Sequence, residues 1–231
     1  MKVVAESFSW PFRGEWKSRW GVGLVTVLLL PIAFVPLLGY AIAATREAEV
    51  RPATGPPRWE LSGRLISDGL WTTAVVVLFT APFLLLLNPL AGWLFDAHLF
   101  SGSDAPVSRL YAHAVAFFAL ALPWGLLLLI HMPHATARFA ASGTAGDLFD
   151  LPASIRAVSR DFATWNLAAA AIVTGWAIGL ACVGLICLGL VPGVFYAILV
   201  SAHASAALHD APAAPARAAP EQDESTNSPA R

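Results

Sequence analysis

The sequence predicts an all-α membrane protein: a polytopic bundle of about six membrane-embedded helices, arranged as three hairpins with interfacial amphipathic helices. Its 231 residues are 57% hydrophobic and 13% charged, and the mean hydropathy is +0.65. Soluble domains usually contain about 45–50% apolar and about 25% charged residues, and long apolar runs mark membrane spans. The composition therefore indicates a membrane protein.

Four apolar stretches account for this hydropathy, at residues 20–45, 70–95, 110–132 and 167–208. One crossing of a hydrocarbon core about 30 Å thick takes about 20 helical residues. The last stretch has 42 residues, which would make about 63 Å of helix, so it predicts two helices. Glycine and proline residues between positions 184 and 193 predict the turn between them.

The first stretch allows two interpretations, because its residues could cross once with a tilt or fold back near Pro31 and Pro36 as two shorter helices. The basic residues favour the hairpin, which places 13 of the 14 Lys and Arg residues on one side of the membrane. Cytoplasmic loops carry an excess of Lys and Arg. We therefore expect a multi-pass protein of the cell membrane with both termini in the cytoplasm. Whether the first hairpin is re-entrant or fully spanning stays open.

The predicted domain organisation is a single membrane domain followed by a tail. The membrane domain covers residues 1–208, with hairpins at about 20–45, 70–132 and 167–208. Residues 209–231 are mainly Ala, Pro and acidic residues, which predicts a disordered cytoplasmic tail. Residues 35–42 match residues 191–198 at five of eight positions, which indicates either an internal repeat or a recurrence of Pro at turns and Tyr at interfaces.

Two segments on the predicted cytoplasmic side have the pattern of amphipathic helices at a membrane surface. Between residues 147 and 165, large apolar side chains recur every three or four positions, and Asp150 before Pro152 is typical of a helix start. A weaker pattern covers residues 59–70. Such helices bury one face among lipid headgroups, and the predicted anchors are Trp59, Leu148, Leu151, Ile155, Phe162 and Trp165.

Polar residues in membrane helices are candidates for function, because they are costly in hydrocarbon. Asn88 precedes Pro89, which predicts a helix break that would free a backbone carbonyl, as in transporter sites. The other candidates are Asp96 and His113, which with His98 either form an outer polar cluster or mark the water boundary, and His203 near the cytoplasmic end of the last helix.

No motif in the sequence predicts catalysis. His131 and His134 have a spacing that could share a metal ion, but Pro133 lies between them and no third ligand is near in sequence. A phosphate-binding glycine loop, a nucleophile elbow and a zinc-binding helix motif are also missing. The 14 basic and 15 acidic residues leave no excess charge for nucleic acid. We therefore expect no enzymatic activity, cofactor, metal or nucleic-acid partner.

Five short segments stand out by their order along the chain: residues 8–12 with Trp16 and Gly21, 38–40, 57–59 to 68–69, 137–140 with Gly143 and Phe149, and 195–203. Together they resemble a family of bacterial and archaeal membrane proteins called domain of unknown function 4013. The resemblance covers about residues 8–208. It implies membrane location and several helices but no established activity, so it assigns no catalytic residues. Residues 49–57 and 96–108 depart from the family pattern, which indicates tolerant connectors.

These observations predict a non-enzymatic membrane scaffold that interacts with lipids or with another membrane protein. The alternative is a small-molecule permease, or an accessory subunit of a membrane transporter, with its site at the proline-containing segments 31–36 and 88–89. A water-filled cavity that reaches the middle of the membrane would favour transport. A dry bundle with an exposed apolar groove would favour the scaffold.

Overall fold

The computed structural model describes residues 2–97, 104–182 and 189–209, and all regular secondary structure within them is helical. The prediction of an all-α protein is therefore confirmed for these residues. A 3-10 turn over Trp10–Phe12 follows α1, and another over Ala145–Leu148 precedes α6. The helices are α1 (Lys2–Ser9), α2 (Trp16–Leu28), α3 (Leu30–Val50), α4 (Gly63–Asp96), α5 (Ala105–Ser142), α6 (Leu151–Arg160), α7 (Phe162–Ala181) and α8 (Leu190–Ala206).

Within the described residues, three helices are long and apolar enough to cross a membrane: α4, α5 and α7. With 34 and 38 residues, α4 and α5 are about 51 and 57 Å long, which exceeds a hydrocarbon core of about 30 Å. The apolar helix α8 has 17 residues and α2 only 13. Helix length and composition thus support three spans, and the predicted six are not confirmed.

The first apolar stretch divides into two helices about one helical turn before the predicted position at Pro31 and Pro36. Leu29 separates α2 from α3, and Pro31 lies in the first turn of α3, where a missing backbone N–H costs nothing. Pro36 lies inside α3. The Arg13 guanidinium, just before α2, donates to the carbonyl of Pro52, just after α3, at 3.1 Å. The start of α2 and the end of α3 therefore lie at the same end of the bundle.

Polar contacts gather the ends of several helices at one pole of the molecule. Arg46 at the end of α3 contacts both the start of α4 and the end of α5, and His209 after α8 lies 3.3 Å from a carboxylate oxygen of Glu49 in α3. Ser7 in α1 is hydrogen-bonded to His203 in α8 at 2.9 Å. We call this pole the foot; it comprises residues 4–20, 43–68, 131–165 and 199–209.

The core lies at and just above the foot, where α3, α4 and α8 meet. Tyr40 and Phe195 are fully buried there with Leu199 and Trp10. The backbones of α3 and α4 approach closely, since a Cβ atom on Gly39 would overlap the carbonyl oxygen of Leu65. Only glycine permits this contact.

Beyond the foot, α4 and α5 pack mainly on each other and leave their outer faces open. Leu85 is 74% exposed and Leu122 is 75% exposed. Near the far end, a small cluster around Ala91 and Ala116 holds the two helices together. The apolar stretches of α4 and α5 therefore form a protruding hairpin with apolar side chains on its surface.

The last apolar stretch contains the separate helices α7 and α8, which end and begin at Ala181 and Leu190. Their backbones also touch, because a Cβ atom on Gly179 would overlap the carbonyl of Gly193. Most of the predicted turn at 184–193 and residues 210–231 of the predicted tail lie outside the described residues, as does His98.

Candidate functional site

A buried ion pair at the foot joins three helices. In α3, the Arg46 Nη2 atom lies 3.1 Å from the Oδ2 atom of Asp68 in α4. The Arg46 Nε–H also donates to the carbonyl of Ala140 in α5 at 2.9 Å. Asp68 is only 7% exposed, so its carboxylate depends on this guanidinium for compensation of its charge.

Further arginines surround this pair and line a cavity of about 540 Å³. Its lining includes five guanidinium groups and three carboxylates, for a formal charge of +2. A second cavity of about 370 Å³ shares Arg19 and Arg58 with it. We call the larger cavity the arginine cleft. Its charged lining residues are Arg19, Arg46, Arg51, Arg58, Arg64, Glu47, Glu60 and Asp68.

The ion pairs in and beside the arginine cleft differ in exposure. Arg58 lies 2.9 Å from a carboxylate oxygen of Glu15, and both side chains are more than 60% exposed. Arg51 pairs with Glu47 at 2.8 Å, one helical turn away, and Arg64 is 4.0 Å from Asp68; in both of these pairs the arginine is exposed and the carboxylate is mostly buried. A surface pair such as Arg58–Glu15 contributes about 0–1 kcal/mol, so an anion can replace the Glu15 carboxylate at little cost.

The loop between α3 and α4 forms one wall of the arginine cleft, and aromatic packing holds it. The Trp59 ring stacks on Tyr40, and its indole N–H donates to the carbonyl of Arg19 at 3.1 Å. The Tyr40 hydroxyl donates to the carbonyl of Pro57 at 2.9 Å. Gly55 has a φ of +77°, and a Cβ there would meet the Arg13 carbonyl. The wall therefore has a defined position.

A second polar network ties α5 to α6. The His131 Nε2–H donates to the Leu148 carbonyl at 2.8 Å, and in the neutral ring Nδ1 accepts from the Ser154 hydroxyl at 3.1 Å. The same hydroxyl oxygen accepts from Arg138 at 3.3 Å. Both nitrogens of His131 are thus used within the protein. In the part of the chain that the structure describes, no group of three His, Cys, Asp or Glu side chains is placed to hold a metal ion.

Three of the four predicted polar positions lie on the α4–α5 hairpin, and only His203 lies in the foot. Asn88 is exposed on α4, and this helix runs on through Pro89, so the predicted helix break is wrong. Asp96 is exposed at the end of α4. His113 is exposed on α5, where its Nδ1–H donates to the carbonyl of Arg109 at 2.9 Å.

His203 lies in the packed foot instead of at its surface. It is 7% exposed, its Nδ1 atom is 2.9 Å from the Ser7 hydroxyl, and its ring centroid is 5.4 Å from that of Trp10. These contacts connect α8 to α1 and to the turn that follows it. The position of His203 is explained by packing between these elements.

The predicted helix over residues 147–165 is divided in two, because α6 ends at Arg160 and α7 begins at Phe162. Asp150 caps α6 as predicted, with Oδ1 accepting from the Ala153 N–H at 2.9 Å. Asp161 caps α7 in the same way through the Thr164 N–H at 3.0 Å. Hydrogen bonds from Thr164 lower the pKa of the Asp161 carboxyl, as expected for a carboxylate at a helix N-terminus.

The predicted membrane-surface anchors divide into packed and exposed side chains. Leu148 is fully buried and Trp165 is 9% exposed. By contrast, Ile155 and Phe162 are 52% and 60% exposed. Leu151 and Trp59 are half-buried. Lipid contact stays a prediction, and Ile155 and Phe162 are the anchors with side chains free to make it.

The arginine cleft is the feature that sequence reasoning missed. Arg46, Arg51, Arg58 and Arg64 recur every five to seven residues in a short polar link between two apolar stretches. In the sequence, these arginines predict only the side of the membrane on which the link lies. The sequence does not show that the link folds back over the ends of α3 and α4. Acidic residues also lie between these arginines in the sequence, so the link as a whole shows little excess of positive charge.

A protein-family model described as "Protein of unknown function (DUF4013)" matches residues 22–200. This confirms the resemblance predicted from the sequence. The match includes α3 to α7 and most of α8, as well as Arg46, Arg58 and Asp68 of the arginine cleft. No curated protein and no solved structure matches the chain.

Proposed function

We propose that this chain, which belongs to the DUF4013 family of proteins of unknown function, is a non-enzymatic membrane scaffold. In this proposal α4, α5 and α7 cross the cell membrane, and the apolar hairpin of α4 and α5 binds lipid and a membrane partner. The foot lies at the cytoplasmic surface with both termini. Neither substrate turnover nor a bound cofactor is part of this function.

The observation that carries the proposal is the apolar surface of the hairpin. Ten leucine, phenylalanine and tryptophan side chains on α4 and α5 are between 53% and 75% exposed. In water, large contiguous apolar patches are rare on monomers, and they mark membrane or protein contacts. These ten residues are Leu70, Leu78, Leu84, Leu85, Leu86, Trp93, Leu110, Phe118, Leu122 and Leu126.

The charge distribution supports the proposed orientation. Arg13, Arg46, Arg64, Arg138 and Arg156 all belong to the foot, whereas Arg109 lies near the far end of the α4–α5 hairpin. Since cytoplasmic segments carry the excess of Lys and Arg, the foot faces the cytoplasm. The far end of the hairpin then faces outward.

The positions of the cavities favour a scaffold over a permease. Both described cavities are lined by residues in or next to the foot. The alternative interpretation placed a transporter site at two segments. Residues 88–89 lie within the continuous helix α4, whereas residues 31–36 follow directly on the division between α2 and α3 at Leu29. A broken helix at mid-membrane, which would present carbonyl oxygens to a substrate, does not occur at residues 88–89.

Membrane depth can be tested with single cysteines in a background where Cys182 and Cys187 are replaced by Ser. Leu85→Cys and Leu122→Cys should resist a water-soluble maleimide in membrane vesicles, because hydrocarbon surrounds them. Ser142→Cys at the foot is the matched control and should react in inside-out vesicles. Rapid labelling of both leucine positions in intact vesicles would refute the proposed span.

Partner binding can be tested with a photo-crosslinking amino acid at the same depth. Placed at Leu122 in native membranes, it should give a reproducible adduct with one membrane protein or with lipid. At Ile172, which α8 covers, it should give only intramolecular products. Solute flux in proteoliposomes that depends on this chain would instead establish the permease.

A further inference from the structure

We propose that the arginine cleft is a binding site for a phosphate-bearing anion, supplied either by the headgroup of an anionic lipid or by a soluble phosphate ester. This inference deepens the proposed function and rests on it for the position of the foot at the membrane surface. The site lies between the end of α3, the start of α4 and the loop that joins them.

The charge of the cleft is the first reason. Its five guanidinium groups exceed its three carboxylates by two. Guanidinium groups bind phosphate through two parallel N–H donors, and such charge-assisted hydrogen bonds are stronger than neutral ones. An anion of charge −2 would therefore neutralise the lining, and one of charge −1 would halve its excess charge.

Two of the arginines have donor capacity that the described contacts leave unused. The Nε–H of Arg19 is buried without a hydrogen-bond partner among the described residues, while its Nη1 donates to the carbonyl of Thr54 at 3.2 Å. A buried donor without an acceptor is destabilising, because it has lost its hydrogen bond to water. Among the described residues, Arg58 forms an ion pair only with the exposed Glu15, which a phosphate can replace. Both arginines line the cleft.

The shape and the surroundings fit a small amphiphilic anion. A volume of about 540 Å³ lies within the usual range for ligand pockets. The lining is not purely polar, because Ala43, Leu65 and Pro57 contribute to it. Next to the charged rim, Leu61 is 81% exposed, so an apolar contact is available beside the phosphate site. A lipid at the bilayer surface would contact the arginines with its headgroup phosphate and Leu61 with its apolar part.

The test is a ligand titration of the full chain in a non-ionic detergent, followed by native mass spectrometry. Detergent removes the surface potential of a bilayer, so binding reports the cleft itself. Phosphatidylglycerol should bind at least tenfold more tightly than zwitterionic phosphatidylcholine. Glycerol 3-phosphate is then added as a competitor at a concentration equal to that of the lipid. If it displaces phosphatidylglycerol, the natural ligand is a soluble phosphate ester. If the lipid adduct persists, the natural ligand is a lipid headgroup.

Two pairs of substitutions distinguish binding in the arginine cleft from attraction by general surface charge. Arg58→Gln with Arg64→Gln should weaken binding of phosphatidylglycerol by about tenfold or more; these side chains are 70% and 64% exposed, so the fold should persist. Arg156→Gln with Arg160→Gln removes the same charge from exposed positions of α6 and should weaken binding less than threefold. Glu60→Gln should strengthen binding, because it removes a lining carboxylate.

Equal weakening by the two arginine pairs would overturn the proposal, as would equal affinity for the two lipids. Failure of the unsubstituted chain to bind phosphatidylglycerol, with intact protection of the Leu85 and Leu122 positions, would refute only this site. Loss of that protection would refute the proposed membrane function as well.

Discussion

Trp59 lies flat on Tyr40, with the ring centroids 3.8 Å apart and the ring planes within 3° of parallel. This stack joins the loop after α3 to α3 itself, 19 residues earlier in the chain. The Trp59 indole N–H also reaches the Arg19 carbonyl near the start of α2. One side chain thus connects three segments and positions the wall of the arginine cleft.

Replacement of Trp59 should therefore loosen this wall. Trp59→Ala removes the stack and the indole hydrogen bond, and for this half-buried ring we expect a loss of about 2–3 kcal/mol. For a chain of this size the melting temperature in detergent should fall by about 5–10 °C. Trp59→Phe keeps an aromatic contact and should lose only about 1 kcal/mol. Equal melting of both variants would show that the stack contributes nothing.

Removal of one charge of the Arg46–Asp68 pair should destabilise the fold more than replacement of both residues by apolar ones. Asp68→Asn leaves the Arg46 charge poorly compensated and should cost about 2–3 kcal/mol, less than for a fully buried pair because the Arg46 side chain is 24% exposed. The double variant Arg46→Met with Asp68→Leu should recover part of this loss. Thermal melting of the double variant and of Arg46→Met and Asp68→Leu alone gives the coupling energy. Additive losses would argue against a direct interaction.

The two kinds of residue in the 147–165 segment should respond differently to substitution. Leu148→Ala removes a fully buried side chain and should cost about 2–4 kcal/mol in detergent. Ile155→Asp with Phe162→Asp alters exposed side chains and should leave detergent melting nearly unchanged. In membranes this pair should increase cleavage of the segment by protease, because the apolar contact with lipid is lost.

The control for that experiment removes charge from the same segment without removing apolar surface. In anionic bilayers, Arg156→Gln with Arg160→Gln should weaken the attraction of the segment to the charged surface, at about 1 kcal/mol for each arginine, and leave protease resistance intact. Detergent has no such surface potential, so this effect is absent from the lipid titration in detergent. If the paired aspartates changed neither lipid association nor protease cleavage, Ile155 and Phe162 would not contact the membrane.

The position of the foot can be tested from outside the cell. Arg13→Cys and Arg51→Cys, in the chain without native cysteines, should both be shielded from an impermeant thiol reagent added to intact cells. Both residues belong to the foot, where Arg13 contacts Pro52. The same positions should react after permeabilisation. Labelling of one and not the other in intact cells would contradict a common cytoplasmic location.

The sequence by itself determined the features that depend on local chemistry. Its hydropathy predicts membrane helices, because burial of apolar side chains away from water depends on composition. Asp150 before Pro152 predicts the start of α6, because a cap bonds to the backbone only three residues away. The family resemblance likewise follows from the order of short segments along the chain.

The tertiary structure decided which distant residues meet. Nothing local to Arg46 indicates that it will contact both Asp68 and Ala140, since that contact requires three helices to converge. The apolar period over residues 147–165 did not show that Leu148 would pack inside and Ile155 would stay exposed. These outcomes depend on packing free energies summed over many contacts between elements, so the arginine cleft exists only after the chain has folded.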